Sequence, residues 1–250
     1  ILVSILVQWI GFIPAYIFQT ERFYDLVGTF TFLTLISIAL GFGPPADARS
    51  WLLAMCVTIW SIRLGTFLFI RFKARGSDRR FDQIKTSFGR FLLTWTLQGL
   101  WVSFSLASAL AAITSPIRIE IDLLAILGTM IWIVGFGVEV VADWQKSQFR
   151  RNRENQDRFI QSGLWAWSRH PNYLGEILLW IGISVIALPV LQGWQYLTLF
   201  SPVFITFLIT RVSGIPLLEA HADQKWGGDK NYEDYKRQTP VLLPKIWRIL

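Results

Sequence analysis

The sequence predicts an all-α, polytopic membrane protein with seven transmembrane helices, its N-terminus outside and its C-terminus cytoplasmic. Three observations carry that expectation. The chain is 53% apolar and only 16% charged over 250 residues, whereas soluble domains carry about 25% charged residues. The apolar residues gather into runs that mostly match the roughly 17–25 residues of a bilayer-spanning helix. The cations fall on alternate connections, as the positive-inside rule requires.

In order, the spans are expected at 1–18, 26–40, 51–70, 91–113, 123–141, 173–191 and 196–209. The first run lacks a small-residue cleavage site and reads as a span, not a signal peptide. The chain opens at Ile1 rather than Met, which leaves room for residues ahead of it. The polar turn Gln19-Thr20-Glu21-Arg22 separates the first two spans. Gly41-Phe42-Gly43-Pro44-Pro45 closes the second with strong breakers. A basic loop, Arg71 to Lys85, follows the third, and Ser115-Pro116 breaks the fourth. The long polar segment Asp143 to Arg169 joins the fifth to the sixth, Gly193 helps turn the chain into the seventh, and Arg211 begins a polar tail.

Charge tests this count independently. With seven spans, 21 of the 24 Lys and Arg lie on one side; the other side holds Arg49 and Arg118, and Arg63 lies within a span. A miscounted span mixes the two sides. The basic side is therefore expected to be cytoplasmic. The net charge of +7 is this topology signal and calls for no nucleic acid.

Several chemistries are excluded at this stage. Cys56 is the only cysteine, so neither an intrachain disulfide nor a cysteine zinc site is possible. His170 and His221 are the only histidines, and no metal is expected. There is no G-x-G-x-x-G after a strand, no Walker loop and no H-E-x-x-H.

The chain is organised around Ser168-Arg169-His170-Pro171-Asn172-Tyr173-Leu174-Gly175-Glu176. Pro171 has no N–H and suits the first turn of a helix, and it pushes His170 out of the α region. Asn172 and Glu176 then share a helical face, with Tyr173 beside them. An interfacial anchor explains Arg169, Tyr173 and Trp180 at headgroup level, but it does not need an acid one turn into a span. Other polar groups inside spans are functional candidates by default: Arg63, Gln98, and Glu139 with Asp143. Snorkelling or a pair with a carboxylate is the alternative for Arg63, an interhelical hydrogen bond for Gln98 and a Lys146 pair for Asp143. The run Lys146, Arg150, Arg151, Asn152, Arg153, Asn155, Arg158 suits phosphates, either of a bound ligand or of anionic lipid.

This motif, preceded by Asp143-Trp144 and Gly163-Leu164-Trp165 and followed by Asn231-Tyr232-Glu233-Asp234-Tyr235-Lys236 with Pro240 and Pro244, resembles the membrane steroid 5α-reductase family, in its bacterial branch. The likeness is specific over roughly residues 120–248. Sterol C14-reductases and isoprenylcysteine methyltransferases share much of the pattern; Asn172 and Glu176 tilt it toward the reductases. The resemblance implies seven helices and NADPH bound from the cytoplasmic side. Its cofactor contacts fall on Arg63, Asp143, Arg150, Asn172, Glu176 and Arg211. Glu139 stands where animal reductases have Asn, and Asp157 where they have Tyr. Tyr173 and Arg158 complete the expected cofactor set. At the substrate end Trp60 replaces a Tyr, and Tyr24-Asp25 is the available phenol–carboxyl pair, or else a helix cap; Gln98 is the expected substrate contact.

The sequence is therefore expected to encode one domain over 1–250, with substrate-side helices in 1–115 and cofactor-binding parts in 116–250. The expected activity is NADPH-dependent reduction of the conjugated C=C of a lipidic enone such as a 3-oxo-4-ene steroid. That substrate enters from the bilayer. A monomer among membrane lipids, in a bacterial inner membrane, is expected. The alternative is a methyltransferase that uses S-adenosylmethionine at the same helix mouth.

Overall fold

The computed structural model describes residues 1–75, 81–155 and 157–244. Four cations of the topology tally, Arg79, Arg80, Lys245 and Arg248, lie outside the described residues. Ten α-helices are present among the described residues, with no strand: α1 (Leu2–Ile17), α2 (Tyr24–Phe42), α3 (Ala48–Arg75), α4 (Phe88–Ser105), α5 (Ala107–Ile113), α6 (Leu123–Arg151), α7 (Pro171–Ala187), α8 (Ser201–Phe207), α9 (Ile215–Trp226) and α10 (Lys230–Gln238). Five helical stretches among the described residues are long and apolar enough to cross a membrane, or six if the bent pair α4–α5 counts as one.

Seven spans were expected, and the differences have identifiable causes. The first run gives a 16-residue helix with Pro14 inside it. At 1.5 Å per residue that is about 24 Å, short of a hydrocarbon core of about 30 Å. The expected fourth span bends by 52° between α4 and α5. There the Ser201 hydroxyl donates to the carbonyl of Ser105, a side chain intruding on the helical ladder. The last stretch is longer than expected: 3₁₀ turns over Gly193–Phe200 lead through α8 and a π-helical turn, Leu208–Val212, to α9.

The chain divides into two compact units. The first comprises Ile1–Ile126 and Ile183–Ser201. In it α1 and α4 run antiparallel, as their contacts show. Ser4 and Ser103 share a hydroxyl bond, and Phe12 meets Phe91 edge-on at 5.6 Å. The buried Gln8 amide donates to Thr31 on α2 at 2.8 Å. In the first turn of α3, a buried Arg49 ties three segments together. It donates to the carbonyls of Ile186 (2.7 Å) and Glu120 (2.9 Å) and pairs with Asp122 at 3.0 Å. Arg118 faces Asp47 at 3.8 Å. The two cations that stand outside the basic side are thus both matched by carboxylates.

The second unit comprises Leu127–Gly182 and Pro202–Leu250. The residues after α6 fold back on it: Trp165 donates its indole N–H to the Ala142 carbonyl (3.1 Å), and the Leu164 N–H reaches Gln145 (3.0 Å). Lys146 Nζ lies 4.2 Å from the Trp165 ring centre. Asp229 caps α10 by accepting from the N–H groups of Asn231 and Tyr232. α10 is tied back through Tyr232 and Lys236 to Asp223 of α9, and through the Tyr235 hydroxyl to the Trp165 carbonyl at 2.7 Å.

Candidate functional site

The site in the second unit follows from how closely α6 and α7 approach. A Cβ placed on Gly175 lies 2.6 Å from both the Glu139 nitrogen and the Gly135 carbonyl oxygen. One on Gly135 meets the Leu179 nitrogen at 2.5 Å. At Gly182 the same atom meets the Gly128 carbonyl at 2.6 Å and the Trp132 nitrogen at 2.7 Å. Small residues let two helices approach this closely within a membrane, where dispersion contacts rather than water drive association. The order of the contacts makes the pair antiparallel: 132 faces 182, 135 faces 179, and 139 faces 175. One more turn in each direction sets Asp143 level with Pro171.

That register gathers four sequence candidates within one turn of the helix pair. Glu139 and Asp143 point from α6, both buried, at 3% and 6% exposure. Asn172 and Glu176, both half-buried, flank Gly175 on α7. α7 does begin at Pro171, so the amide and the acid stand one turn apart at its mouth. An amide and three carboxyl groups offer both donors and acceptors at the edge of an apolar helix pair. This set suits a carboxamide and sugar hydroxyls, and so fits the nicotinamide end of NADPH.

The remaining members of the expected cofactor set are spread more widely. α6 continues unbroken to Arg151, so Arg150 is exposed two turns beyond Asp143. Asp157 and Arg158 lie on an exposed turn. The Asp157 carboxylate pairs with Lys225 at 3.2 Å, and its carbonyl accepts from the Trp226 indole at 2.7 Å. Arg211 is exposed on the π-helical turn. The Tyr173 ring stacks on His170 with centroids 5.8 Å apart.

The substrate-end candidates lie in the first unit. Tyr24 opens α2; its hydroxyl donates to the Thr94 carbonyl at 3.2 Å, and its ring packs against Phe81 and Trp95. Gln98 donates to the Tyr24 carbonyl at 3.2 Å, an interhelical bond made over Gly28, where a Cβ meets the Gln98 amide nitrogen at 2.4 Å. Asp25 lies in the first turn of α2. Trp60 is buried edge-on to Phe32, 5.1 Å away. Phe32 lies eight residues past Tyr24, or about 12 Å along the helix, so Trp60 is not brought to the Tyr24–Asp25 pair. The Arg63 guanidinium lies 5.4 Å from the Phe67 ring centre.

Sequence reasoning passed over two residues. His170 stood in the organising motif without a role, and Glu219 lay in what read as a polar tail. In the structure His170 Nε2 is 2.7 Å from Glu219 Oε1, and Arg169 Nη1 is 2.8 Å from Glu219 Oε2. The Arg169 contact is an ion pair without hydrogen-bond alignment. Burial pushes the His170 imidazole below its ordinary range, against the Glu219 bond that favours its charged form. Adjacency to Pro171 was the one signal for His170; nothing local marked Glu219.

The family model described as "Protein of unknown function (DUF1295)" matches residues 11–239. The 3-oxo-5-alpha-steroid 4-dehydrogenase 2 of Homo sapiens is 30% identical over 122 residues, 48% of this chain and 42% of that protein. The steroid 5-alpha-reductase DET2 of Gossypium hirsutum is 28% identical over 120 residues, again 48% of this chain and 42% of that one. An uncharacterised protein of Schizosaccharomyces pombe is 25% identical over 70% of this chain and 60% of its own. The chain thus spans under half the length of the curated steroid reductases it matches. No solved structure matches.

Proposed function

The chain belongs to the family described as a protein of unknown function (DUF1295), and from that membership and the α6–α7 constellation we propose that it is an NADPH-dependent membrane reductase of lipidic enones, akin to the steroid 5α-reductases. The observation that carries the reading is the glycine-packed register that sets Glu139 and Asp143 level with Asn172 and Glu176. Bound NADPH supplies a hydride to the β-carbon of the conjugated C=C. Asn172 and Glu176 hold the carboxamide, Asp143 and Glu139 the neighbouring hydroxyls or amide, and Arg150, with Arg158 and Arg211, the phosphates. Arg63 and Tyr173 complete the contacts. Asp157 belongs to this reading only as a member of the exposed turn.

On the substrate side, donors aimed at the enone oxygen stabilise the negative charge that develops there, the oxyanion-hole logic. Tyr24, with Asp25 beside it, is the proton source for the α-carbon. A phenol near a carboxyl is a suitable general acid, and its present bond to Thr94 is long enough to be exchanged. Gln98 holds the Tyr24 backbone; Trp60, buried against Phe32, takes no direct part in this step. The substrate, a 3-oxo-4-ene steroid or a similar flat enone, enters from the bilayer. Cofactor enters from the basic, cytoplasmic side, in a protein of a bacterial inner membrane that acts as a monomer.

The test is thermal stabilisation of the detergent-purified protein by NADPH, NADH and S-adenosylmethionine, titrated separately. A ligand that binds only the folded state at a hundred times its Kd adds about 2.7 kcal/mol. Asn172→Ala, Glu176→Ala and Asp143→Ala are each expected to weaken the NADPH shift. An unaltered shift in all three overturns the site. A shift with S-adenosylmethionine alone assigns the methyltransferase instead.

A further inference from the structure

We propose that Glu219 is a positioning residue, which sets the first turn of α7 and thereby the Asn172/Glu176 face; the inference rests on the reading of that face as the cofactor site. The argument begins with the entry to α7. Pro171 contributes no N–H, so nothing within the helix's own first position fixes the incoming chain. The three residues before it are instead held from outside the helix. Arg169 N–H donates to the Pro240 carbonyl at 2.9 Å and His170 N–H to the Val241 carbonyl at 3.2 Å. Ser168 Oγ donates to the same Val241 carbonyl at 3.1 Å.

The side chains of Arg169 and His170 then converge on one carboxylate, one on each oxygen of Glu219. This arrangement is specific to Glu219. His170 is 5% exposed, and its Nδ1 has no hydrogen-bond partner among the described residues. The Nε2 contact with Glu219 is therefore the polar restraint on that ring, which in turn stacks on Tyr173. Arg169 Nε is likewise buried without a hydrogen-bond partner, so its head is oriented by the Glu219 ion pair. One acid on α9 therefore sets two consecutive residues, and the next two positions are Pro171 and Asn172. Pro171 sets where α7 starts; what the Glu219 contacts fix is how the two residues entering it, and with them its first turn, are oriented.

The test uses the full-length protein and two variants. Glu219→Ala removes both contacts, whereas Glu219→Gln keeps an acceptor for His170 and loses the charge that holds Arg169. Amide hydrogen exchange is measured without any ligand, and the NADPH dissociation constant is measured on the same samples. Exchange of the amides of 172–176 is expected to rise about tenfold in Glu219→Ala, with that of 132–139 on α6 unchanged. The NADPH dissociation constant is expected to rise about tenfold in Glu219→Ala and less in Glu219→Gln. If Glu219→Ala does not fold, Glu219→Gln decides by the same two readouts. Faster exchange spread evenly over α6 and α7, or a dissociation constant within twofold of wild type, overturns the proposal. Wild-type protein that binds no NADPH overturns the cofactor reading itself, and the exchange pattern then still decides whether Glu219 positions the turn.

Discussion

Replacing Gly175 by Ala tests the α6–α7 register at the point where it makes the site. The added methyl falls 2.6 Å from the Glu139 nitrogen and 2.6 Å from the Gly135 carbonyl oxygen, both backbone atoms that no rotamer change moves. To reach the 3.4 Å of ordinary van der Waals contact the helices must part by about 0.8 Å at this level. Overpacking of this kind costs about 1–3 kcal/mol. At about 2–4 °C per kcal/mol for a chain of this size, the melting temperature falls by roughly 2–12 °C. The internal control is Gly137→Ala on the facing helix α6: a Cβ there meets nothing within 4 Å. Within α6, that change removes a glycine's chain entropy and stabilises by about 0.4–1 kcal/mol. The site should register the difference too. A displacement of about 1 Å between groups that grip one ligand can cost on the order of 10²-fold in rate, so Gly175→Ala loses NADPH affinity or turnover while Gly137→Ala keeps both. Equal melting temperatures and equal NADPH affinity for the two variants refute the packing argument.

Other outcomes follow from single contacts. His170 carries a folded-state pKa below that of the unfolded chain, so the unfolded state binds the extra proton and stability falls as pH drops below about 6.5; melting curves at pH 7 and pH 5 should show a smaller difference for His170→Gln than for wild type. Arg49→Ala leaves the buried-side Ile186 and Glu120 carbonyls without their donor and removes the partner of Asp122, whose carboxylate is a third exposed and rehydrates, so a destabilisation of about 1–3 kcal/mol is expected by chemical or thermal unfolding. Arg150→Ala combined with Arg151→Ala should weaken NADPH binding and flatten its dependence on salt, while any binding of S-adenosylmethionine is unchanged.

Much of this arrangement was legible in the residues. Pro171 announced the start of α7, because its missing N–H and its effect on His170 are local. The common face of Asn172 and Glu176, and of Glu139 and Asp143, followed from the helical repeat alone. The antiparallel register between them did not, although its agents were in plain sight: Gly135, Gly175 and Gly182 look like ordinary glycines in apolar runs until their partners are known. The bend after Ser105 was hidden for a related reason. Its cause is the hydroxyl of Ser201, 96 residues away, and no breaker marks the place. Trp60 was matched to the substrate end by position, yet burial against Phe32 sets it two turns away from Tyr24. Glu219 was invisible because an acid in a polar stretch has no sequence signal until Arg169 and His170 arrive on either of its oxygens.

The same α7 mouth is open to two ligand classes, and charge spacing along α6 separates them. S-adenosylmethionine is compact and carries its positive sulfonium close to its carboxylate and amine. NADPH is long, neutral at the carboxamide and strongly anionic several bonds away. On α6 the acids Glu139 and Asp143 precede the cations Arg150 and Arg151, all on one unbroken helix. Seven residues separate Asp143 from Arg150, about 10 Å at 1.5 Å per residue. An acidic floor alone suits a compact cation; acids followed at that distance by guanidinium groups suit a ligand whose polar and anionic parts are themselves separated. The distance is built into a single rigid element rather than into a loop, so it does not depend on how the following turn is arranged. That spacing is the physical ground on which the proposed reductase reading is preferred to the methyltransferase.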